Sequence, residues 1–182
     1  SLDPLVALQQ LLQGKAFPFD LPLVNGRPFV NVAGVGFDAL VARKAETARG
    51  AGTLPYLSAA LRSLARYRPR HLVIDVDGRQ SEGKVFLLAV GNGRYYAGGM
   101  KICPAADFDD GLLDLCLAGD LGHAEALLAL ARVFRGTHIR QRKFHYIKAH
   151  TIRVDGPDDV LVHADGQVIG SLPATFTLRQ RA

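Results

Sequence analysis

Asn25-Gly26, Asp77-Gly78 and Asp165-Gly166 each interrupt a run of β-prone residues. An Asx-Gly pair supplies the two left-handed residues of the tight turn that joins antiparallel strands. A chain punctuated this way builds hairpins, and its strands fall into turn-linked groups. Strands are expected at 29–35, 71–76, 84–90, 112–117, 146–154 and 175–178. The 84–90 run is almost wholly apolar, as a strand covered on both faces would be. Further on, Val160, Val162 and Ala164 alternate with Leu161, His163 and Asp165.

Helical periodicity is confined to three stretches. Residues 3–13 carry Leu5, Leu8 and Leu12 behind an Asp3-Pro4 start and ahead of Gly14. Residues 53–66 place Leu57, Ala60, Leu61 and Leu64 on one face before Pro69. Residues 122–135 place Leu127, Leu130, Ala131 and Phe134 on one face before Gly136. About nine strands and about three short helices that rarely alternate argue for a β-rich α+β fold, an antiparallel β-sandwich, over a doubly wound parallel sheet.

The 182 residues are 48% hydrophobic and 21% charged, enough to bury one core and too apolar for disorder. No apolar run is long enough for a membrane span, and no basic region leads into an apolar one as in a signal peptide. Cys103 and Cys116 sit among apolar neighbours and are expected to be buried, reduced thiols, which suits a cytoplasmic setting. The net charge of +5 is unevenly spread. Between Ala126 and Val154 there are Arg132, Arg135, Arg140, Arg142, Lys143, Lys148 and Arg153, and no acid. Such a strip meets phosphates, anionic lipid or nucleic acid, or is a solvated face with carboxylates near it in space.

Several motifs carry possible chemistry. Gly34-x-Gly36-x-x-Ala39 follows a strand and fits a dinucleotide fingerprint, but the acid expected about 20 residues on is missing. An oxidoreductase reading rests on that motif alone. Phosphate-loop, serine-hydrolase elbow and zinc-ligand patterns are absent. Gly91 to Met100 is glycine-dense, which permits close approach of a ligand or of another backbone. Asp107, Asp109, Asp110 and Asp114 crowd around Gly111. Clustered oxygens suit Mg²⁺ or Ca²⁺, although an EF-hand is ruled out by Ala118 at its closing position, and a polar turn explains the cluster equally well. Asp165 either orients a reacting group or simply makes an Asp-Gly hairpin.

Taken in order, 25–39 (Asn-Gly-Arg-Pro-Phe-Val-Asn-Val-Ala-Gly-Val-Gly-Phe-Asp-Ala), Gly91-Asn92-Gly93 through Gly98-Gly99-Met100, Pro104, Asp109-Asp110-Gly111-Leu112-Leu113-Asp114, Ala164-Asp165-Gly166 and Leu172-Pro173-Ala174-Thr175-Phe176 resemble the C-terminal lobe of bacterial diacylglycerol kinases and sphingosine-kinase-like lipid kinases. The resemblance implies one β-sandwich domain over 1–182, working with an N-terminal nucleotide-binding lobe whose Gly-Gly-Asp-Gly-Thr motif this chain lacks. It implies that the chain starts just after that lobe, in keeping with its initial Ser. ATP would be bound mainly by the other lobe, and the fragment alone would be inactive.

By the same resemblance the acidic turn holds Mg²⁺ through the carbonyl of Asp107, the side chain of Asp110 and the carbonyl of Leu112. The family's general base is a glutamate at the position of Gln167, and an amide cannot accept a proton as a carboxylate does. Asp165, taken as lying two residues away on the same strand, is the substitute base. Partners implied are the N-terminal lobe, a lipid acceptor such as diacylglycerol, and peripheral contact of the basic strip with the anionic inner face of the cytoplasmic membrane, with no nucleic acid. Phe17, Phe19, Tyr95 and Tyr96 are candidates for an acyl path. The alternative is a non-catalytic lipid-binding or regulatory relative, in line with Gln167.

Overall fold

The computed structural model describes residues 3–14, 18–47 and 61–181. Its strands are β1 (Leu21–Val24), β2 (Arg27–Pro28), β3 (Val32–Gly36), β4 (Arg70–Val76), β5 (Arg79–Val85), β6 (Leu87–Gly91), β7 (Leu113–Ala118), β8 (Phe144–Ala149), β9 (Ile152–Asp155), β10 (Leu161–Ala164), β11 (Gln167–Ser171) and β12 (Ala174–Arg179). They form two six-stranded antiparallel sheets, β2-β1-β12-β9-β4-β5 and β11-β10-β3-β6-β7-β8.

The faces of these sheets explain the apolar runs. Val24, Ile74, Ile152 and Phe176 of the first sheet meet Val35, Leu88, Leu115 and Val162 of the second in an inter-sheet core. The opposite face of the second sheet carries Val32, Ala89, Cys116 and Ala118 into another core, beneath helices and the 100–106 segment. The central strands β3, β6 and β7 are therefore covered on both sides and read as continuously hydrophobic.

Three α-helices lie wholly within the described residues: α1 (Pro4–Gln13), α2 (Phe37–Thr47) and α3 (His123–Val133). In α1 the Asp3 carboxylate caps the Leu5 N–H at 2.8 Å with Pro4 in the first turn, as expected. Of the helix expected over 53–66, residues 61–64 are helical and 48–60 lie outside the described residues. Helix α2 goes unread in the sequence, hidden behind the glycines of its leading strand. Helix α3 turns in only one residue of the expected face: Leu130 lies inward with Ala126, Ala129 and Val133, while Leu127, Leu128, Ala131 and Phe134 turn out.

Two stretches expected as single strands divide between the sheets, and a third begins in the bend that links them. Of residues 29–35, 32–35 belong to β3 and 29–31 form the bend that separates it from β2. Residues 84–90 split at Phe86, whose N–H donates to the carbonyls of Ala118 and Gly119. Residues 146–154 split at His150-Thr151 between β8 and β9. A strand that changes sheet strands its amides between two ladders, and they need other partners. The Asx-Gly turns supply two of the three sets. Asp77 accepts from the N–H of His150 and of Thr151, at 3.0 and 2.8 Å. Asp165 does the same for the bend at 30–32. Both residues sit at positive φ, 50° and 46°, each followed by a positive-φ glycine. Asn25, at φ 50°, likewise donates to the Pro173 carbonyl and accepts from the Thr175 N–H.

Candidate functional site

One end of the sandwich gathers four of the sequence motifs. The Asp165-Gly166 turn joins β10 to β11, and its carboxylate accepts from the N–H of Val30 (2.6 Å), Asn31 (2.9 Å) and Val32 (3.1 Å). The Asn31 carbonyl in turn accepts from the N–H groups of Asn92 and Gly93, at 2.9 and 3.0 Å. The buried Asn92 side chain donates to the Asp20 carbonyl at 2.9 Å. Asp20, also buried, donates its N–H to the Phe108 carbonyl, and its carboxylate accepts from the N–H of Gly111 (2.7 Å) and of Arg181 (2.9 Å). The 165–167 turn, the 30–32 bend, the 91–93 loop and the acidic turn are thus one hydrogen-bonded assembly. Gly93 is required there, because a Cβ would lie 2.6 Å from Oδ1 of Asn31.

Asp165 and Gln167 do not share a strand, contrary to expectation. Asp165 is the first turn residue and Gln167 the first residue of β11. The Asp165 carboxylate is committed to three main-chain amides. Gln167 is exposed, with its Oε1 3.5 Å from Nη2 of Arg27.

At the acidic turn, Asp107, Asp109 and Asp110 are exposed and Asp114 is buried. Oδ1 of Asp110 accepts from the Leu112 N–H at 3.0 Å, and Oδ2 pairs with the Lys148 ammonium. The same ammonium lies 3.6 Å from Asp114, which also accepts from the Tyr146 hydroxyl at 2.7 Å. Burial raises the Asp114 carboxyl above its ordinary value. A divalent ion wants several oxygens with uncommitted charge. The Asp107 carbonyl, the Asp110 side chain and the Leu112 carbonyl offer one carboxylate, already matched by Lys148, so this set does not fit Mg²⁺ while Lys148 stays in place.

Gly34 and Gly36 have a different use from a pyrophosphate turn. The sheet around them is antiparallel, with β3 between β10 and β6, where a dinucleotide site needs parallel strands. A Cβ at Gly34 would lie 2.6 Å from Nε2 of His163 and 2.7 Å from Oδ2 of Asp38. The glycine makes room for that buried pair, which lies 3.0 Å apart. Nδ1 of His163 accepts from the Gly166 N–H at 3.2 Å, so the ring proton sits on Nε2 and goes to Asp38. The other Asp38 oxygen accepts from the Tyr96 hydroxyl at 3.0 Å. A polar relay therefore runs from Tyr96 through Asp38 and His163 to the 165–167 turn.

Asp38 and Tyr96 also form the polar corner of a slot between α2, α3 and the second sheet. Its cavity measures about 60 Å³ and is walled by Phe37, Val41, Phe86, Met100, Ile102 and Val133 among others, with His138 in the same wall. Of the residues expected along an acyl path, Tyr96 lines this slot. Tyr95 is exposed beneath the Lys101 ammonium, Phe19 is half-buried elsewhere, and Phe17 lies outside the described residues.

Sequence reasoning missed Asp20, Asp38, Tyr96 as a hydrogen-bond donor, His138, His163 and Lys148. Only Asp38 carried a signal, as the acid following Gly34-x-Gly36 and opening α2. Cys103 and Cys116 are free and fully buried, and burial pushes both thiols up. The basic strip breaks up in space. Lys143 pairs with Glu125, Lys148 with Asp110, and Arg153 lies on β9 in the other sheet. Arg132 and Arg135 stay exposed beside Leu128 and Phe134 on α3 and the residues after it.

Residues 31–182 match the model of the YegS C-terminal NAD kinase beta sandwich-like domain. The diacylglycerol kinase of Bacillus subtilis (strain 168) is 30% identical over 180 residues, a match covering 96% of this chain and 58% of that protein. The diacylglycerol kinase of Mycobacterium tuberculosis (strain H37Rv) is 36% identical over 151 residues, covering 82% of this chain and 48% of that protein. The chain thus spans about half the length of the relatives it matches. The crystal structure of a diacylglycerol kinase from Bacillus anthracis str. Sterne superposes with a TM-score of 0.60 at 20% identity, covering 90% of this chain and 51% of that one, and shares the fold.

Proposed function

This chain belongs to the family of the YegS C-terminal beta-sandwich domain of bacterial diacylglycerol kinases, and from that premise we propose that it is the C-terminal lobe of an ATP-dependent lipid kinase. The reaction would move the γ-phosphoryl group of ATP to a lipid hydroxyl, with diacylglycerol the first acceptor to try. The observation that carries the reading is the hydrocarbon-walled slot wired, through Tyr96, Asp38 and His163, to the turn that holds Gln167. A stretch of acyl chain occupies such a slot, and the relay fixes the turn relative to it.

Phosphoryl transfer asks chiefly for in-line placement and charge neutralisation, and then for a home for the hydroxyl proton. This chain's residues supply placement. Asp165 anchors the 30–32 bend, and Asn92 and Asp20 tie that bend to the acidic turn. Gln167 is a donor and acceptor that cannot take the proton, and Asp165 already serves three amides, so the proton acceptor and the ATP site belong to the rest of the protein. In this reading the bilayer meets α3, whose inward face walls the slot.

The test is an assay with radiolabelled ATP and dioctanoylglycerol, run on this chain alone and on a polypeptide that joins it to a Gly-Gly-Asp-Gly-Thr lobe of a relative. Lipid phosphorylation by the joined protein and none by the chain alone is expected. Turnover by the chain alone contradicts the two-lobe reading. A joined protein that binds ATP yet phosphorylates neither diacylglycerol, a sphingoid base nor phosphatidylglycerol favours the non-catalytic relative. That second reading draws on Gln167: if Gln167→Glu also fails to produce activity, position 167 is not where this protein lost its chemistry.

A further inference from the structure

We propose that a shallow cavity between α2 and residues 61–70 binds a phosphate group through the exposed heads of Lys44, Arg66 and Arg68. Residues 43–70 hold seven Lys/Arg (Arg43, Lys44, Arg49, Arg62, Arg66, Arg68 and Arg70) and one acid, Glu46. The whole chain carries a net charge of +5, so this segment accounts for all of the excess. The fold gathers part of it in one place. The Ser63 carbonyl accepts from the N–H groups of Arg66 and Tyr67, at 3.1 and 3.0 Å, and ends a helical turn there. The Tyr67 ring then packs edge-on against Phe37 and Phe86, with centroids 5.4 and 5.2 Å away. Its neighbours Arg66 and Arg68 are left exposed. Both line a cavity of about 300 Å³ together with Lys44 of α2. Helix α2 separates this cavity from the slot, turning Phe37 and Val41 to the slot and Leu40 and Lys44 to the cations.

A merely solvated basic face has carboxylates close by, as Lys143 has Glu125 and Lys148 has Asp110. Here the acid at hand is spent, because the two oxygens of Asp159 are taken by the Arg70 guanidinium at 2.6 and 2.8 Å. Arg66 and Arg68 make no ion pair among the described residues. Like charges drawn together without a counter-charge repel, and an anion in their midst relieves the repulsion. The planar guanidinium fork matches phosphate oxygens, and a phosphate monoester offers nearly two charges and three acceptor oxygens to such a group of cations. The Ser63 and Tyr67 hydroxyls are closed off from solvent and take no part. Inorganic phosphate and the headgroup of a phosphomonoester lipid share this chemistry, and the test separates them.

The experiment follows the side-chain Nε–Hε resonances of Arg66 and Arg68 while the chain is titrated at constant ionic strength, chloride being exchanged for the probe. Inorganic phosphate should move both resonances and saturate. Arg66→Gln with Arg68→Gln should weaken phosphate binding, read by calorimetry, roughly tenfold, the worth of two exposed charge pairs. Arg132→Gln with Arg135→Gln removes as much charge elsewhere and should bind phosphate as the wild type does. Dihexanoyl phosphatidic acid, dispersed as monomers, is the second probe. Shifts at both arginines with this probe and not with inorganic phosphate make the ligand a lipid headgroup, and shifts with inorganic phosphate of equal or greater affinity make it a soluble phosphate. Unmoved arginine resonances with both probes, or equal weakening in the two double variants, overturn the proposal. Either result leaves the lipid-kinase reading as it stands, since the slot lies on the other side of α2.

Discussion

An aspartate at the head of a left-handed turn can reach beyond its own hairpin, and Asp165 uses that reach on the amides of Val30, Asn31 and Val32. Removing the carboxylate would leave three donors at a bend that cannot join either ladder. Asp165→Ala is expected to cost about 2–4 kcal/mol, since charge-assisted bonds are the stronger kind and the orphaned donors add their own penalty. Asp165→Asn keeps one acceptor oxygen and should recover part of that loss. Urea unfolding of the two variants measures it. The pair also separates two roles in the joined kinase. A proton acceptor is lost equally in Asn and Ala, whereas an anchor of the bend leaves Asn the more active, and that order is the one expected here.

Hairpins were legible because an Asx-Gly turn is local chemistry: φ above zero at two successive positions admits few residue types. The partition of strands between sheets was not. At Phe86 no glycine or proline marks the change from β5 to β6, so the unbroken apolar run reads as one strand. Helix α3 misled for a related reason. Periodicity shows which residues share a face but not which face points in, and here Ala126, Ala129 and Val133 face the slot together with Leu130. Part of the site shared this fate. Asp20, Asp38 and His163 are polar residues among apolar neighbours, and Tyr96 sits in a glycine-dense loop; each is given meaning only by partners far along the chain.

The acidic turn shows the limit from the other side, since composition suggested a cation and packing supplies Lys148 from β8, directly opposite Asp114 in register. Lys148→Met should lower stability by about 1–2 kcal/mol, a modest figure because the ammonium is about a third exposed. It should also create a response to Mg²⁺: millimolar magnesium is expected to raise the Tm of the variant and leave that of the wild-type chain unchanged. An equal magnesium shift in both proteins would mean that the turn holds an ion alongside Lys148.

At the scale of the whole molecule, the layers are ordered as first sheet, second sheet and the helices α2 and α3, with the slot in the outer gap, roofed by α3. That helix is apolar on two sides. Ala126, Ala129 and Val133 close the slot, while Leu127, Leu128 and Phe134 remain 52%, 48% and 41% exposed. Large side chains outward and small ones inward reverse the order that water selects. Arg132 and Arg135 flank the outer side and make no ion pair among the described residues. Among those residues no helix is long and apolar enough to cross a membrane. Insertion of three apolar side chains, with about 1 kcal/mol from each arginine near anionic lipid, gives reversible binding. The chain should therefore sediment with phosphatidylglycerol vesicles and not with phosphatidylcholine vesicles, and salt should weaken the binding as it screens the arginines. Exchanging Leu127 and Phe134 for Ser should reduce the bound fraction at a small cost in Tm, because about half of each side chain is exposed. Exchanging Arg132 and Arg135 for Gln should remove the preference for anionic lipid. Unchanged sedimentation of both double variants would take the membrane away from α3 and leave its outer face to another part of the protein.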